Sequence, residues 1–445
     1  MKIGMTKKKD GSKRKIVPLN GGKTIGSGGF GCVFRPPLKC KGKQRTKKRM
    51  VSKLMESKYA KIEYNEIMKF KAILKTIPNY RKYFLLDDIT ICDPDKLTPS
   101  DLYKFNSKCH ALEDSFYENT INSNLDKLKV LTIPDGGVDL RTYIKKSTYA
   151  DFPSINNKLI DLLVNGVVRM NKKNVLHADL KDSNILMDDK CATIIDWGLS
   201  ATCESTNIPE RLQNRSIYYN LPFTTVLFNH LFEDMYIQFL KENEEPSYQT
   251  TRAFVEKYIE QWLDYRGDGH YNLIKRLIKC LFVGTNLFSV SNDVGVDFIA
   301  NYLTVVIMKF TKDGKMGLKK YFNDVYRHIV DIWGFLTIYL NILETLADNY
   351  SNLTNCEIEL YNELKKIVIT HMYEPRTEPN NINKIVGDLK ALNNLFYKCG
   401  NNAASGFSKY SKTQSTSSSE DLPIKLSKSK TRKIMKHIIH LNKVE

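Results

Sequence analysis

His177-Ala178-Asp179-Leu180-Lys181-Asp182-Ser183-Asn184 is followed, twelve residues beyond Asn184, by Asp196-Trp197-Gly198. Apolar runs flank the string, Val175-Leu176 before it and Ile185-Leu186-Met187 and Thr193-Ile194-Ile195 after it. The pattern predicts a polar loop between short strands. Asp179 offers a carboxylate able to orient and deprotonate a hydroxyl, and Lys181 places an ammonium group two residues away. Asn184 adds an amide oxygen and Asp196 a second carboxylate, both hard ligands suited to magnesium. Phosphoryl transfer asks for little beyond positioning and charge neutralisation, and this stretch supplies both. Asp179 and Lys181 are the catalytic candidates; Asn184 and Asp196 are the metal candidates.

Upstream, Ile25-Gly26-Ser27-Gly28-Gly29-Phe30-Gly31-Cys32-Val33 has the form G-x-G-x-x-G-x-V. Glycines let a strand–turn–strand approach a triphosphate closely enough for backbone N–H groups to meet its oxygens. Taken alone, a glycine-rich hairpin explains the string as well. It is not a Walker A loop, because no Gly-Lys-Ser/Thr follows, and no βαβ pattern surrounds it. Lys53 stands about twenty residues on, at the expected end of the next strand, where its ammonium suits the α and β phosphates if a carboxylate holds it. Glu66 and Glu63 in the following helical stretch compete for that task. Glu66 is preferred, because Asn65-Glu66-Ile67-Met68-Lys69-Phe70 leads into apolar Ile73 and Leu74.

The 445 residues suffice for two domains, and a hydrophobic content of 42% suits a folded globular chain. The net charge of +19 is concentrated. Residues 1–20 carry +6, residues 35–50 carry +8 and residues 401–445 carry +6, leaving the remaining chain near neutral. The two ends and the loop at 35–50 thus read as basic segments, solvated or docking on acidic proteins, nucleic acid or membrane surfaces. No nucleic-acid-reading motif accompanies them. Nine cysteines stand singly, without C-x-x-C pairs, which argues against zinc and against a disulfide framework and favours a reducing, intracellular setting. The longest apolar run, near Ile332 to Leu340, is far short of a membrane span.

Residues 58–75 predict a helix, Tyr83 to Cys92 and Val130 to Ile133 predict strands, and Leu159, Leu163, Val167 and Met170 mark a helix ending before Val175. Beyond Phe228 helices dominate. The tail from Asn401 is Ser/Lys-rich and expected to be disordered.

These motifs together resemble the eukaryotic-type protein kinase superfamily, over roughly residues 20–400. H-x-D-L-K-x-x-N is similar to its serine/threonine branch. Arg215-Ser216-Ile217-Tyr218-Tyr219-Asn220-Leu221-Pro222-Phe223 is similar to the peptide-binding end of the activation segment in kinases of large nucleocytoplasmic DNA viruses. Ile77-Pro78-Asn79-Tyr80 to Tyr83-Phe84 is similar to that group as well. Asp331-Ile332-Trp333-Gly334 looks like the D-x-W of the central helix, with Asp331 anchoring the catalytic loop.

The resemblance implies an α+β, bilobal protein-kinase-like fold. A basic arm (1–20) precedes a β-rich N-lobe (21–134), a mostly helical C-lobe (135–400) with a helical insertion at about 230–325, and the basic tail (401–445). It implies ATP and Mg2+ as cofactors, and serine or threonine hydroxyls of protein substrates as acceptors. Adenine is expected against a hinge near Ile133 to Gly137, beneath Ile25 and Val33. Pro134 has no N–H, so the hinge donor is assigned to Asp135 or a neighbour. Asp139 is within the sequence range expected to reach the ribose. A viral origin would place the protein in host cytoplasm or the virion.

Four departures from the family pattern stand out. Ala178 replaces the arginine that reads an activation-loop phosphate, so a phosphorylation switch is not expected. Trp197 replaces the phenylalanine of D-F-G. No glutamate follows Pro222 to pair with a late arginine, for which Arg376 is the candidate. Pro222 and Asp331 lie 109 positions apart, where the family has about a dozen, which makes the insertion either padding or a partner surface. The competing functions are a pseudokinase-like scaffold and a small-molecule kinase. Lys53, Asp179, Asn184 and Asp196 weigh against the first, and the full glycine loop with Lys181 against the second.

Overall fold

The computed structural model describes residues 22–28, 30–43, 49–284 and 294–400. The basic arm, Gly29, residues 44–48, part of the insertion (285–293) and the tail lie outside the described residues. The chain is α+β, with a β-rich N-terminal region and a mostly helical remainder. It divides into two compact units. One contains the residues up to Met68 together with Leu86–Asp135; the other contains Lys69–Leu85 and the chain from Gly136 onward. The division is therefore not a single cut at residue 134: the segment Lys69–Leu85 packs with the second unit.

The first unit is built on a five-stranded antiparallel sheet: β1 (Lys23–Ser27), β2 (Gly31–Arg35), β3 (Met50–Glu56), β4 (Thr90–Cys92) and β5 (Leu128–Pro134), in the order β1-β2-β3-β5-β4. Period-two alternation sorts the side chains between the faces. Cys32, Phe34 and Leu54 are fully buried with Leu97, Leu102, Phe105 and Leu112 from the β4–β5 connection, while Val33 and Lys53 lie on the less buried face. The strand expected from Tyr83 to Cys92 is cut down. Tyr80–Tyr83 forms a helical turn, Phe84 makes a lone bridge to Ile194, and only Thr90–Cys92 joins the sheet. The helix α1 (Ser57–Leu74) follows β3 without a loop and buries Ala60, Ile67, Phe70 and Leu74.

Three disulfides, Cys32–Cys109, Cys40–Cys92 and Cys356–Cys399, correct the expectation of unpaired thiols. Their partners are 77, 52 and 43 residues apart, so no local spacing announces them. Cys191, Cys203 and Cys280 are free thiols.

In the second unit, β6 (Val138–Asp139), β8 (Ile185–Met187) and β9 (Ala192–Ile194) form a small antiparallel sheet, and β7 (Val175–Leu176) pairs with β10 (Ala201–Thr202). Helical turns continue from Phe152 to Lys172, with Leu159, Leu163, Val167 and Met170 fully buried. The helix Arg327–Leu336 is buried along almost its whole length. Gly334 is required there: a Cβ would stand 2.7 Å from the Leu180 carbonyl. The insertion supplies the helices His230–Glu242, Tyr248–Arg266, Tyr271–Cys280 and Val294–Phe310. Among the described residues no single helix is long and apolar enough to cross a membrane. The bent pair Leu318–Leu336 and Ile338–Asp348 passes by length and composition, but Val330, Ile332, Phe335, Tyr339 and Leu343 are at most 1% exposed, as in the core of a folded unit.

Candidate active site

In the first unit, the β1–β2 hairpin closes through Gly28 N–H donating to the Gly31 carbonyl (2.8 Å). Gly31 has no room for a side chain, because a Cβ would meet Met55 Cγ at 2.5 Å and the Leu54 carbonyl at 2.7 Å. Gly26 faces open space, and a Cβ on Gly28 would lie 4.0 Å from Lys53 Cε. Bare backbone thus passes over the lysine, the arrangement that lets N–H groups meet phosphate oxygens. Val33 pairs with both Gly26 and Lys53. Ile25 is 48% exposed at the bulge in β1, and Phe30 sets its ring 5.2 Å from Tyr59 on α1.

Lys53 sits in the middle of β3, not at its end. Its Nζ donates to both carboxylate oxygens of Glu63 (2.9 and 2.7 Å), so the partner is Glu63 where Glu66 was preferred. The physical reason is continuity. β3 runs straight into α1, which brings the second helical turn back over the strand; Glu66 lies almost one turn further along the axis.

One other expectation is corrected, at Asp135. The Asp135 N–H donates to the Arg49 carbonyl (3.1 Å), and its carboxylate pairs with Arg35 (2.8 Å) and Arg49 (3.1 Å). That N–H extends the strand pairing and is not a hinge donor, while part of the basic 35–50 stretch is neutralised. Ser27 Oγ accepts from Ala111 N–H (2.9 Å), which commits the hydroxyl to the β4–β5 connection.

In the second unit, Asp179 is the centre of a donor cluster. Lys181 Nζ donates to both its oxygens (3.0 Å each), Asn184 Nδ2 to Oδ2 (2.9 Å) and Asn220 Nδ2 to Oδ1 (2.8 Å). Burial pushes the Asp179 carboxyl up, but the charge and hydrogen bond of Lys181, then Asn220, outweigh it and hold the group below the usual carboxylate range. Asn184 spends its amide hydrogens on Asp179, which turns its Oδ1 to other work. Asn184 and Asp196 terminate neighbouring strands: β8 pairs with β9, and the Ile195 N–H donates to the Asn184 carbonyl (3.0 Å). Asp196 is exposed and left-handed (φ 64°), a backbone cost that functional sites tolerate.

Asp331 anchors the loop from beneath. It accepts from His177 N–H (2.9 Å), Ala178 N–H (2.8 Å) and Asn171 (2.6 Å), and these bonds hold Ala178 at φ 54°. Trp197 is buried among Phe70 (5.5 Å), Phe84 (5.8 Å) and His177 (5.1 Å). Asp139 Oδ1 caps the helix Leu140–Lys145 by accepting from Thr142 N–H (2.9 Å). Arg376 lies 3.9 Å from Glu374, its own near neighbour in sequence.

The sequence did not single out Asn220 as an orienting group. It also missed the buried Asp182, which Arg141 (2.7 Å) and Asn341 (2.6 Å) hold beneath the loop. Only the position of Asp182 inside the motif could have signalled it.

No family model matches the chain. Over 199 residues, 44% of this chain, it is 26% identical to the rat (Rattus norvegicus) interferon-induced, double-stranded RNA-activated protein kinase. The match spans 34% of that relative's length. This partial similarity supports a relationship to protein kinases.

Proposed function

We propose that the chain is an active ATP-dependent protein kinase that phosphorylates serine and threonine hydroxyls of protein substrates, its two units serving as the lobes of a bilobal kinase. The observation that carries this reading is Asp179, kept ionised by Lys181 and aimed by Asn184 and Asn220. In the reaction the acceptor oxygen forms a bond to the γ-phosphorus, the bond from that phosphorus to the β–γ bridging oxygen breaks, and ADP leaves. Asp179 orients the acceptor hydroxyl and takes its proton. Lys181 neutralises charge on the transferred group, and Lys53, held by Glu63, does so at the α and β phosphates.

The oxygen donors of Asn184 and Asp196 suit Mg2+, which holds few protein ligands and completes its shell with phosphate and water. When bound, Mg2+ supplies charge neutralisation on the nucleotide phosphates. The basic ends are proposed to dock on an acidic partner.

The test is incubation of the purified chain with labelled ATP, Mg2+ and peptide libraries offering serine, threonine or tyrosine. Transfer to serine and threonine that vanishes in Asp179→Asn supports the proposal. Nucleotide binding without transfer would instead indicate a pseudokinase-like scaffold.

A further inference from the structure

Residues 215–218 have no regular secondary structure, yet Arg215, Ser216 and Ile217 are at most 8% exposed. Buried backbone polar groups in such a segment need partners from elsewhere. Most of those partners come from one place, the last turns of the insertion helix Tyr248–Arg266 and the short link from it to the helix Tyr271–Cys280. Trp262 Nε1 donates to the Arg215 carbonyl (3.2 Å) and His270 N–H to the Ile217 carbonyl (2.8 Å). Ser216 Oγ donates to the Arg266 carbonyl (3.2 Å), and Tyr219 N–H donates to His270 Nδ1 (3.4 Å). Four of the five residues 215–219 are therefore bonded to the insertion. The approach is as close as chemistry permits. Gly269 has φ 54°, and a Cβ there would stand 2.4 Å from the Ile217 carbonyl.

The same segment is bonded to the catalytic loop. Asn220 reaches Asp179, and Arg215 Nη1 donates to the Ala178 carbonyl (2.8 Å). The segment that holds Asp179 through Asn220 is thus bonded to the insertion through Arg215, Ser216, Ile217 and Tyr219. We infer that the Trp262–His270 stretch is a fixed brace for segment 215–220, and that the insertion thereby sets how a protein hydroxyl is presented to Asp179. The inference rests on the kinase reading for its substrate. His270 is a positioning residue in this scheme: it touches the segment and not the acceptor. Burial holds its imidazole down, to about 4, so at neutral pH the ring is uncharged and Nδ1 can accept the Tyr219 N–H. An insertion that merely filled space would meet the segment through apolar side chains, and would not bond the Arg215 and Ile217 carbonyls and the Tyr219 N–H.

The test compares the full-length wild type with Gly269→Ala, His270→Leu and His270→Asn. It measures acceptor-peptide kinetics, direct ATP·Mg binding and amide exchange at 217–220. Gly269→Ala and His270→Leu should lower kcat/KM for the acceptor peptide by about 10- to 100-fold, as misplacement near 1 Å does, while ATP affinity stays within about twofold. His270→Asn should keep near-normal acceptor kinetics, because its Oδ1 replaces the Nδ1 acceptor. Exchange at 217–220 should quicken in the two damaging variants only. Unchanged acceptor kinetics in Gly269→Ala and His270→Leu would overturn the brace, as would an equal loss of ATP affinity. If the wild type transfers no phosphate to peptides, the kinase reading fails by itself. Exchange then decides the brace: unaltered protection of 217–220 in both damaging variants overturns it.

Discussion

Asn220 donates its side-chain amide to Asp179, 2.8 Å from Nδ2 to Oδ1, and so ties the segment after Arg215 to the carboxylate proposed as the base. The same amide also reaches the Leu180 carbonyl (3.2 Å). Because Asn220 donates to the ionised form, it helps hold the Asp179 carboxyl low. The base is active when ionised, so kcat should fall only as pH drops through that depressed value. Asn220→Ala removes a donor to the ionised form and should move the acid limb of the kcat profile to higher pH. An acid limb that stays in place would show that Asn220 does not touch the base's ionisation.

The ion pair of Lys53 with Glu63 makes a prediction that the sequence alone would have assigned to the wrong residue. Both side chains are about 15% exposed, so the pair is well shielded from water. Glu63→Gln should lower kcat/KM for ATP by about ten- to a hundredfold, matching the roughly 1.5–3 kcal/mol of a charged hydrogen bond. Glu66→Gln should leave it near normal. Steady-state kinetics in ATP for the two variants decides; a larger loss in Glu66→Gln would restore the original preference.

How much was legible follows the same division. The loop 177–184 and the glycine loop are contiguous strings, and their strands fall where the apolar runs predict. Asn220, Arg141 and Asn341 act across 41, 41 and 159 residues, and sequence spacing carries no trace of such contacts. Glu63 and Glu66 differ by less than a helical turn, which local pattern cannot resolve without knowing that β3 and α1 are continuous. The short strand β4 was over-read because Phe84, Leu86 and Ile89 are buried in a largely irregular connection, where apolar residues do not imply pairing.

Arg215 bears on regulation. Its guanidinium is almost wholly buried and donates to three carbonyls: Ala178 (2.8 Å), Leu199 (3.1 Å) and Arg211 (2.7 Å). These bonds fasten the segment to the catalytic loop without a phosphate. Phosphatase treatment should therefore leave kcat largely intact. A large loss, reversed by re-phosphorylation between Ser200 and Tyr219, would contradict this.

The cysteine pairing is directly testable. Digestion without reductant should release the linked pairs Cys32–Cys109, Cys40–Cys92 and Cys356–Cys399, with Cys191, Cys203 and Cys280 alkylated only as free thiols. Mass mapping that finds Cys32 alkylated in the native protein would dissolve the link between β2 and the β4–β5 connection. With the link intact, reduction should lower the unfolding midpoint, since a crosslink of this span typically contributes about 2–4 kcal/mol.

The most direct test of the central claim sets Asp179→Asn beside Asp196→Asn in phosphate transfer to a serine peptide and in ATP·Mg binding. Asp179→Asn should lose roughly 10²–10⁴-fold in kcat while still binding nucleotide, because it keeps the shape and removes the base. Asp196→Asn should instead bind ATP·Mg more weakly, since the group removed is the proposed metal ligand. Near-normal phosphorylation by Asp179→Asn would contradict the account, and so would equal nucleotide affinity in the two variants.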